Sequence, residues 1–559
     1  MAAQPDLVDH SAALLSLHVP LLRIPPFPGA SVAAFSRLPQ DSDHPSTLIE
    51  CIALLRNKRV GGTFWARQPH LPPRYVLVRS AGAAEPMGAL INEHDESLTW
   101  CAVEGARPPG HAIVGDCDPW HMLSGATALV CARHDEVRLI AALLGVPTYL
   151  TDSQGEAPSR CDAAVETVLA DALPVMACYS NPFGGVPLSL IELIDLCGYW
   201  RALIDSNRDI AVGIGFAFWK QGSVLPLLWG GGASRAFFRD TAVAKRGESA
   251  AAVWRSKAPS DLIDQIERRK IPIVEVEDGF LRSTGLGADC VPPLSITVDR
   301  LGPYFDPAQP SELETLLEQG VSDPALLTRA RKIREAIIAA GLGKYGHGVE
   351  EISRFDPNRR HILVAGQVED DRSVMTGGCG LTTNHELLER VRANAPDAFL
   401  IYKPHPDVVA GHRKGAVAEG VCRQIADKVV TDRQVSSLIN MVDEVHVNTS
   451  LTGFEALMRN KIVTTYGVPF YAGWGLTRDL GPVPTRRTRR CSLDELVAAT
   501  LLIYPRYLDP QSGLPCPAEV VVSRLTHPIS TRMGALVRLR RFQGRLRARL
   551  GRWLSKEIR

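Results

Sequence analysis

The second half of the chain alternates short apolar runs with amphipathic stretches. The apolar runs have the length and β-branched content of buried parallel strands; they are His361–Gly366, Ala398–Pro406, Lys428–Asp432, Glu444–Ser450 and Lys461–Gly467. The stretches between them carry apolar residues three and four positions apart, as helices do; they are Asn384–Ala395, Val435–Asp443 and Thr452–Asn460. Strands separated by helices predict a doubly wound α/β domain.

A similar alternation precedes this domain. Asp209–Trp219 and Ile271–Ser283 have the pattern of strands, and the turn-rich segment Leu225–Arg235 lies between them. Helices are predicted over Asp261–Ile271, Ser311–Gly320 and Asp323–Gly343, and the Ser311/Glu314 spacing predicts a capping box. This order of elements predicts βαβ units in a parallel sheet. Two Rossmann-like domains in tandem predict a GT-B-like arrangement, the architecture of nucleotide-sugar transferases, with a cleft between the domains.

Earlier in the chain the pattern is mixed. Tyr75–Gly82 and Thr127–Glu136 are predicted strands, and Glu136–Gly145 and Leu190–Asn207 are predicted helices. We therefore predict a loosely ordered lead (1–45), an accessory α/β region (46–207), a first Rossmann-like, acceptor-side domain (208–358) and a second Rossmann-like, donor-binding domain (359–527).

The last segment, 528–559, is predicted to form a basic amphipathic helix. It holds ten Arg or Lys residues and one acid, Glu557, while Leu539, Phe542, Leu546 and Trp553 recur at helical spacing. Helices of this composition bind membrane surfaces. Packing back onto the protein or onto a partner is the alternative.

Composition excludes several classes of protein. The 559 residues carry a net charge of +1, so no global field favours nucleic acid. The twelve cysteines form no CxxC pair or Cys/His ligand spacing, so no metal site is predicted. The N-terminus lacks the pattern of a signal peptide, and no apolar run approaches the ~18 residues of a membrane span. We expect a cytoplasmic protein that is peripheral at the inner face of the membrane.

Acidic residues follow two of the predicted strands. The loop after His361–Gly366 contains Asp371, and the strand Ile271–Ser283 contains Glu277 and Asp278. Ligands bind beyond the carboxyl ends of strands in open α/β sheets. Covalent glycosyl transfer uses one carboxylate as nucleophile and a second carboxyl group as acid or base. Asp371 could be the nucleophile, with Glu277 or Asp278 as its partner. The alternative for the second motif is an ordinary Asp-Gly turn.

Two further strand ends carry groups suited to a phosphate. Lys403 and His405, followed by Pro406, offer two donors. Thr449, Ser450 and Thr452 stand at the start of a helix, where hydroxyl and backbone N–H groups can hold an anion. Glu455, one turn later, could accept hydrogen bonds from a ribose or base. N-capping by Ser450 or Thr452 is the structural alternative. No GxGxxG after a strand and no GxxxxGK[ST] occurs, which argues against dehydrogenases and P-loop NTPases.

Several long motifs resemble the capsular polysaccharide β-Kdo transferase family. They are VEDGFLRSTGLGAD (276–289), PLSITVDRLGPYFD (293–306), AGQVEDDRSVMTGG (365–378), YKPHPDV (402–408) and NTSLTGFEALMRNKIVTTYGVPFYAGWGLT (448–477). The resemblance covers roughly residues 209–507 and does not extend to the first 200.

The resemblance implies a GT-B-like fold, CMP-β-Kdo as donor, a lipid-linked saccharide as acceptor, and no cofactor or metal. It implies retention of the β configuration through a covalent glycosyl–aspartate. By analogy Asp371 is the nucleophile, Glu277 and Asp278 are the acid/base candidates, and His405 joins Lys403 and Ser450 on the CMP phosphate. Gln367, Arg282, Pro406, Thr449, Thr452 and Glu455 complete the predicted substrate-binding set. Some family members carry two catalytic modules; this chain shows one set of motifs, so we expect one kind of linkage.

Two other functions are consistent with the sequence. The chain could be a non-catalytic factor for capsule assembly or export that keeps the fold as a binding module. It could also be an inverting transferase that uses another CMP-sugar, such as CMP-sialic acid.

Overall fold

A computed structural model of the chain describes residues 21–41, 46–79, 98–102, 111–151, 159–161, 163–170, 172–232, 237–238, 250–281, 291–342 and 350–527. The chain divides into two compact units. Unit 1 comprises residues 1–208 and 228–235, and unit 2 comprises residues 209–227 and 236–559. The predicted C-terminal helix at 528–559 lies outside the described residues.

The strands are numbered here in chain order. They are β1 (Arg37–Asp41), β2 (Tyr75–Val78), β3 (Leu98–Ala102), β4 (His111–Val114), β5 (Ala126–Ala132), β6 (Thr148–Thr151), β7 (Ser159–Cys161), β8 (Ala177–Tyr179), β9 (Ile210–Ile214), β10 (Ala250–Val253), β11 (Ile273–Asp278), β12 (Ser295–Asp299), β13 (His361–Ala365), β14 (Phe399–Lys403), β15 (Lys428–Val429), β16 (Glu444–Val447), β17 (Ile462–Thr465), β18 (Arg478–Asp479), β19 (Pro505–Leu508) and β20 (Pro515–Cys516).

The helices are named by their bounds. They span Leu48–Lys58, Pro119–Leu123, Val137–Leu144, Val165–Ala170, Leu190–Asp205, Phe218–Leu228, Ser260–Arg268, Glu312–Gln319, Pro324–Ala339, Arg372–Gly377, Asn384–Asn394, Pro406–Val409, Glu419–Ile425, Val435–Met441, Leu451–Met458, Leu493–Val497 and Ala518–Thr526, with a π-helical turn at Ala498–Ile503. No described helix combines the length and hydropathy that crossing a bilayer requires.

Unit 1 contains a six-stranded sheet of order β4-β3-β2-β5-β6-β7, in which β7 alone is antiparallel to its neighbour, and a two-stranded β1-β8 ribbon. The predicted helix at 136–145 is present and ends on Gly145, whose φ of 72° is the left-handed conformation of a glycine C-cap. Residues 21–41 of the predicted lead pack in part into the core, contrary to the expectation of a loosely ordered segment. Leu21, Leu22 and Phe27 are buried. The prolines of this segment interrupt any helical or strand periodicity, but its apolar side chains can still pack.

The first sheet of unit 2 has the order β20-β19-β12-β11-β10-β9. β9, β10 and β11 are parallel, which agrees with the predicted parallel arrangement although β10 itself was not predicted, whereas β12, β19 and β20 are antiparallel to their neighbours. The expectation of a wholly parallel sheet is therefore wrong. None of these three strands was predicted, and a hydrophobic pattern carries no information on the direction of a strand. β19 and β20 hydrogen-bond in this sheet, although the expected boundaries place residues 505–516 in the second domain.

The segment after β9 also differs from prediction. The strand was expected to run to Trp219, but it ends at Ile214, and a helix occupies Phe218–Leu228 with Pro226 inside it. Gly215 explains the end of the strand. Its φ is 78°, and a Cβ atom there would lie 2.6 Å from the Trp254 carbonyl oxygen, so only glycine fits this close turn.

The second sheet of unit 2 has the order β15-β14-β13-β16-β17-β18, and all its strands are parallel. In chain order this is 3-2-1-4-5-6, the arrangement of Rossmann-type domains. All five residues of β13 are buried, as expected for a strand covered on both faces. The order reverses between β13 and β16, and a ligand crevice is expected at their carboxyl ends.

Candidate active site

A cavity of about 390 Å³ lies where the carboxyl ends of β13, β14 and β16 face the end of β11. Both sheets of unit 2 contribute to its wall. The described residues of the predicted site all line it; they are Glu277, Asp278, Gln367, Asp371, Lys403, His405, Pro406, Thr449, Ser450, Thr452 and Glu455. Arg282 lies outside the described residues. The predicted strand ends therefore converge on one cavity at the switch point of the second sheet.

Glu277 and Asp278 end β11 in different electrostatic settings. The Asp278 carboxylate accepts a hydrogen bond from Lys220 Nζ at 3.0 Å, and that ammonium lies 3.5 Å from the centre of the Trp254 ring. The Glu277 side chain is only 16 % exposed and accepts from Arg372 Nη1 at 2.9 Å. Burial raises the pKa of Glu277 to about 7, against the opposing charge of Arg372. Glu277 is therefore the carboxyl group poised to exchange a proton near neutral pH.

Asp371 sits at the start of the short helix Arg372–Gly377. Its backbone carbonyl accepts from the amides of Val374 and Met375, while its side chain makes no capping hydrogen bond. Its carboxylate is exposed, and no ion pair to it occurs among the described residues. The neighbouring Asp370 differs, because Arg413 binds it at 3.0 Å. Asp371 thus presents a carboxylate to the cavity, as a nucleophile requires.

The KPHP segment follows β14. Lys403 is buried and donates to the Thr431 carbonyl at 2.9 Å, and burial lowers the pKa of its ammonium. His405 begins the helix Pro406–Val409, and its Nδ1 accepts from the Asp407 amide at 3.1 Å. With Nδ1 as acceptor, the neutral ring carries its proton on Nε2. The two residues supply donors to the cavity wall, which suits an anionic group.

Gln367 and Thr449 connect the two strands at the switch point. The Gln367 amide donates to Thr449 Oγ1 at 2.9 Å and accepts from the Thr449 backbone amide at 2.8 Å. Asn384 holds the Gln367 backbone through bonds of 2.7 and 2.8 Å. Both side chains are buried, so this cross-link fixes the separation of β13 and β16 at the cavity.

The helix Leu451–Met458 begins at the cavity. Ser450 is its N-cap and accepts from the Thr452 amide at 3.2 Å, so the capping interpretation of this motif is confirmed. Glu455 is buried on the next turn. Gly453 packs against Tyr471; a Cβ atom there would lie 2.2 Å from the tyrosine hydroxyl. The hydroxyls and the Glu455 carboxylate therefore line the cavity from a helix held close to its neighbouring loop.

Aromatic side chains form one wall. Tyr304, Phe305 and Phe470 line the cavity. Phe280 packs behind them, with its ring centre 4.8 Å from that of Tyr304 and 5.0 Å from that of Phe470. The loop 466–477 follows β17 and is rich in aromatic residues and glycines. Tyr471 and Trp474 are fully buried, so packing dominates, with Pro469 and Phe470 reaching the cavity.

Arg487 holds this loop in place. It donates to the carbonyls of Pro469 at 2.9 Å and Ala472 at 2.8 Å, and to Glu314 at 2.8 Å. Ser311 caps the helix Glu312–Gln319 as predicted, but the Glu314 carboxylate binds Arg486 and Arg487 instead of completing a capping box. Hydrogen bonds from two charged guanidinium groups are stronger than one from a neutral backbone amide.

Glu314→Ala is expected to lower the free energy of unfolding by about 3 kcal/mol, because it leaves the buried Arg487 guanidinium without its carboxylate. Chemical denaturation of the variant measures this. Glu318→Ala is the matched control on the same helix; Glu318 binds exposed Thr488, so its loss should leave the free energy of unfolding almost unchanged. Equal losses in the two variants would contradict the assignment.

Sequence comparison places these features in a family. Residues 249–354 and 346–507 match the family model described as capsule polysaccharide biosynthesis protein. The capsule polysaccharide modification protein LipA of Neisseria meningitidis serogroup A is 37 % identical over 350 residues, which cover 62 % of this chain and 50 % of LipA. The lipopolysaccharide-processing protein LpsZ of Rhizobium meliloti is 49 % identical over 244 residues, 43 % of this chain and 55 % of LpsZ. The chain spans about half the length of these curated relatives.

Two solved structures of Thermosulfurimonas dismutans KpsC are also similar. The β Kdo 2,7 transferase is 35 % identical, with 50 % of this chain and 84 % of that chain covered and a TM-score of 0.41. The β Kdo 2,4 transferase is 32 % identical, with 57 % and 98 % covered and a TM-score of 0.49. The chain belongs to the KpsC-like capsule polysaccharide biosynthesis family. The sequence identity carries this assignment, and it confirms the resemblance seen in the motifs. The family match at 249–507 includes every predicted site residue, whereas unit 1 precedes it.

Two cations beside the cavity were missed by the sequence analysis. Arg372 binds Glu277, and its only signal in the sequence is its position next to Asp371. Lys220 lies in the helix Phe218–Leu228, which the sequence analysis did not predict, so its approach to Asp278 could not be foreseen. Residues 431–435, after β15, also line the cavity. Their position at a strand end was the available signal.

Proposed function

We propose that this family member is a retaining β-Kdo glycosyltransferase that moves Kdo from CMP-β-Kdo to a lipid-linked saccharide in capsular or surface polysaccharide biosynthesis. The observation that carries the proposal is the pairing of an exposed carboxylate, Asp371, with a buried carboxyl group of near-neutral pKa, Glu277, around one cavity at a switch point. The sequence identity of 35 % and 32 % to the two β-Kdo transferases of Thermosulfurimonas dismutans KpsC supports the sugar class.

In the first step, the Asp371 carboxylate attacks the anomeric carbon of the donor. The bond from that carbon to the CMP phosphate breaks, and CMP leaves with the electron pair. Lys403 and His405 supply positive charge and hydrogen bonds to the departing phosphate. Asp371 is then esterified to the sugar, with its anomeric configuration inverted.

In the second step, an acceptor hydroxyl attacks the same carbon. Its proton passes to Glu277, and the bond to Asp371 breaks, which regenerates the carboxylate. The second inversion restores the β configuration. Glu277 suits this role better than Asp278, because Lys220 and Trp254 hold the Asp278 carboxylate in a fixed ion pair. We expect no metal requirement, since protein donors can neutralise a monophosphate leaving group.

Incubation of the purified protein with CMP-Kdo and a Kdo-primed lipid acceptor tests the proposal. We expect CMP release and a product whose anomeric centre is β by NMR. An inverted product would instead support the inverting mechanism, and turnover of CMP-sialic acid in place of CMP-Kdo would change the donor. Substrate binding without CMP release would favour the non-catalytic assembly factor.

We also propose that segment 528–559 holds the enzyme at the cytoplasmic face of the membrane, where a lipid-linked acceptor resides. Its ten basic residues support binding to anionic lipid. Truncation after His527 is expected to abolish cosedimentation with phosphatidylglycerol vesicles and to leave CMP release with a water-soluble acceptor unchanged. Equal sedimentation of both forms would contradict this.

A further inference from the structure

Arg372 lies between the two carboxyl groups of the proposed reaction without lining the cavity itself. It follows Asp371 directly in the chain, so their Cα atoms are about 3.8 Å apart. Its Nη1 donates to Glu277 Oε1 at 2.9 Å, which joins the loop of the second sheet to the end of the first. Its guanidinium also stacks at 5.1 Å on the ring of Phe305. Its own side chain is 28 % exposed.

The charges around Glu277 are unequal in effect. Arg372 and Lys220 favour its ionised form, while Asp278 and Glu275 oppose it, and Arg372 is the strongest of these four. Desolvation exceeds all of them and leaves the pKa of Glu277 at about 7. Without Arg372, burial and the two neighbouring carboxylates would act against a single, more distant cation.

We propose that Arg372 is a positioning residue that aligns Glu277 with Asp371 and keeps the Glu277 carboxylate able to accept the acceptor's proton. This inference rests on the proposed function for its catalytic meaning. Arg372 acts through Glu277 and through the loop it shares with Asp371. A guanidinium suits the position because its planar fork can bind a carboxylate and stack on an aromatic ring together.

The consequence is a specific change in pH dependence. A base in the second step must be ionised, so turnover rises with pH through the pKa of Glu277. Removing Arg372 raises that pKa, so the rising limb of the curve of turnover against pH moves to higher pH. An arginine with a purely structural role would lower turnover by the same factor at every pH.

The test compares Arg372→Met, Arg372→Lys and Arg413→Met in CMP release across pH. For Arg372→Met we expect the limb to move up by about one pH unit or more, with much of the lost turnover recovered at high pH. Arg372→Lys keeps the charge and should shift less. Arg413 makes a similar ion pair with Asp370, an exposed residue of the loop that contains Asp371. Arg413→Met should therefore leave the pH of the rising limb unchanged.

A second measurement is independent of turnover. Carboxyl ¹³C NMR of the whole chain, with Glu277→Gln used to assign the signal, follows the Glu277 titration without substrate. We expect it near pH 7 in the parent protein and higher in Arg372→Met. An unmoved titration, or an unmoved limb in an active variant, would overturn the inference. A parent protein that shows the titration shift but no turnover of CMP-Kdo would refute the proposed function and leave the Arg372–Glu277 coupling standing.

Discussion

Asp371→Ala is expected to abolish transfer, with CMP release reduced roughly 10⁴-fold or more, as when other covalent nucleophiles are removed. No other carboxylate of its loop can replace it as nucleophile, because Glu369 accepts a hydrogen bond from the Asn384 backbone amide and Asp370 binds Arg413. The Asp371 side chain is exposed and makes no capping bond, so its truncation should change the free energy of unfolding by less than ~1 kcal/mol. Turnover with matched thermal denaturation measures both effects.

Asp370→Ala is the control for this variant. It removes a neighbouring carboxylate from the same loop and breaks one exposed ion pair, which contributes little to stability. We expect its turnover to stay within a few-fold of the parent. If Asp371→Ala keeps near-normal turnover, or if Asp370→Ala is the inactive variant, Asp371 is not the nucleophile.

The strand ends that form this site could be predicted because periodicity and position carry the information. β13, β14 and β16 are short apolar runs followed by polar residues, and parallel strands place such ends at one edge of a sheet. The strand order that reverses between β13 and β16 could not be read from the chain. The order depends on how the sheet assembles. Because 3-2-1-4-5-6 is the common order of such sheets, a site at the carboxyl ends of β13 and β16 was nevertheless a reasonable expectation.

Other features depend on contacts that sequence pattern does not encode. β19 and β20 return to the first sheet across more than 200 residues from β12, which no local signal specifies. Glu277 differs from Asp278 because burial raises its pKa and Arg372 binds it, whereas Lys220 binds Asp278; Arg372 lies far later in the chain and Lys220 earlier. Neighbouring residues on a strand face opposite sides, so two adjacent acids can acquire different partners.

Unit 1 illustrates the same limit. Its sheet also follows the 3-2-1-4-5-6 order, yet its strands were recognised only in part and no chemical motif marked a site there. A common fold therefore does not by itself assign a function, which depends on the side chains at the strand ends. The second sheet of unit 2 carries such side chains at its strand ends, and its strand order is the same as that of the six-stranded sheet of unit 1.

Glu277→Gln is expected to lower turnover by roughly 10²- to 10⁴-fold, the usual contribution of a general base. Since the amide cannot accept the acceptor's proton, the second step should stall and the sugar should accumulate on Asp371. Intact-mass analysis and peptide mapping of the variant after brief exposure to CMP-Kdo would detect this adduct. Asp278→Asn, which removes the carboxylate bound by Lys220, should accumulate less. An adduct on another residue would contradict the proposed double displacement.

The same variant should become relatively more stable as pH rises. The pKa of Glu277 is raised from 4.5 to about 7 by burial, so between these values the folded chain retains a proton that the unfolded chain has released. The resulting stabilisation is complete below about pH 4.5 and is lost as pH rises through 7, at most about 3 kcal/mol. Glu277→Gln lacks this titration, so its stability relative to the parent should increase across that window. Urea denaturation at several pH values measures the difference, and a constant difference would show that Glu277 titrates at its ordinary value and is unsuited to exchange protons at neutral pH.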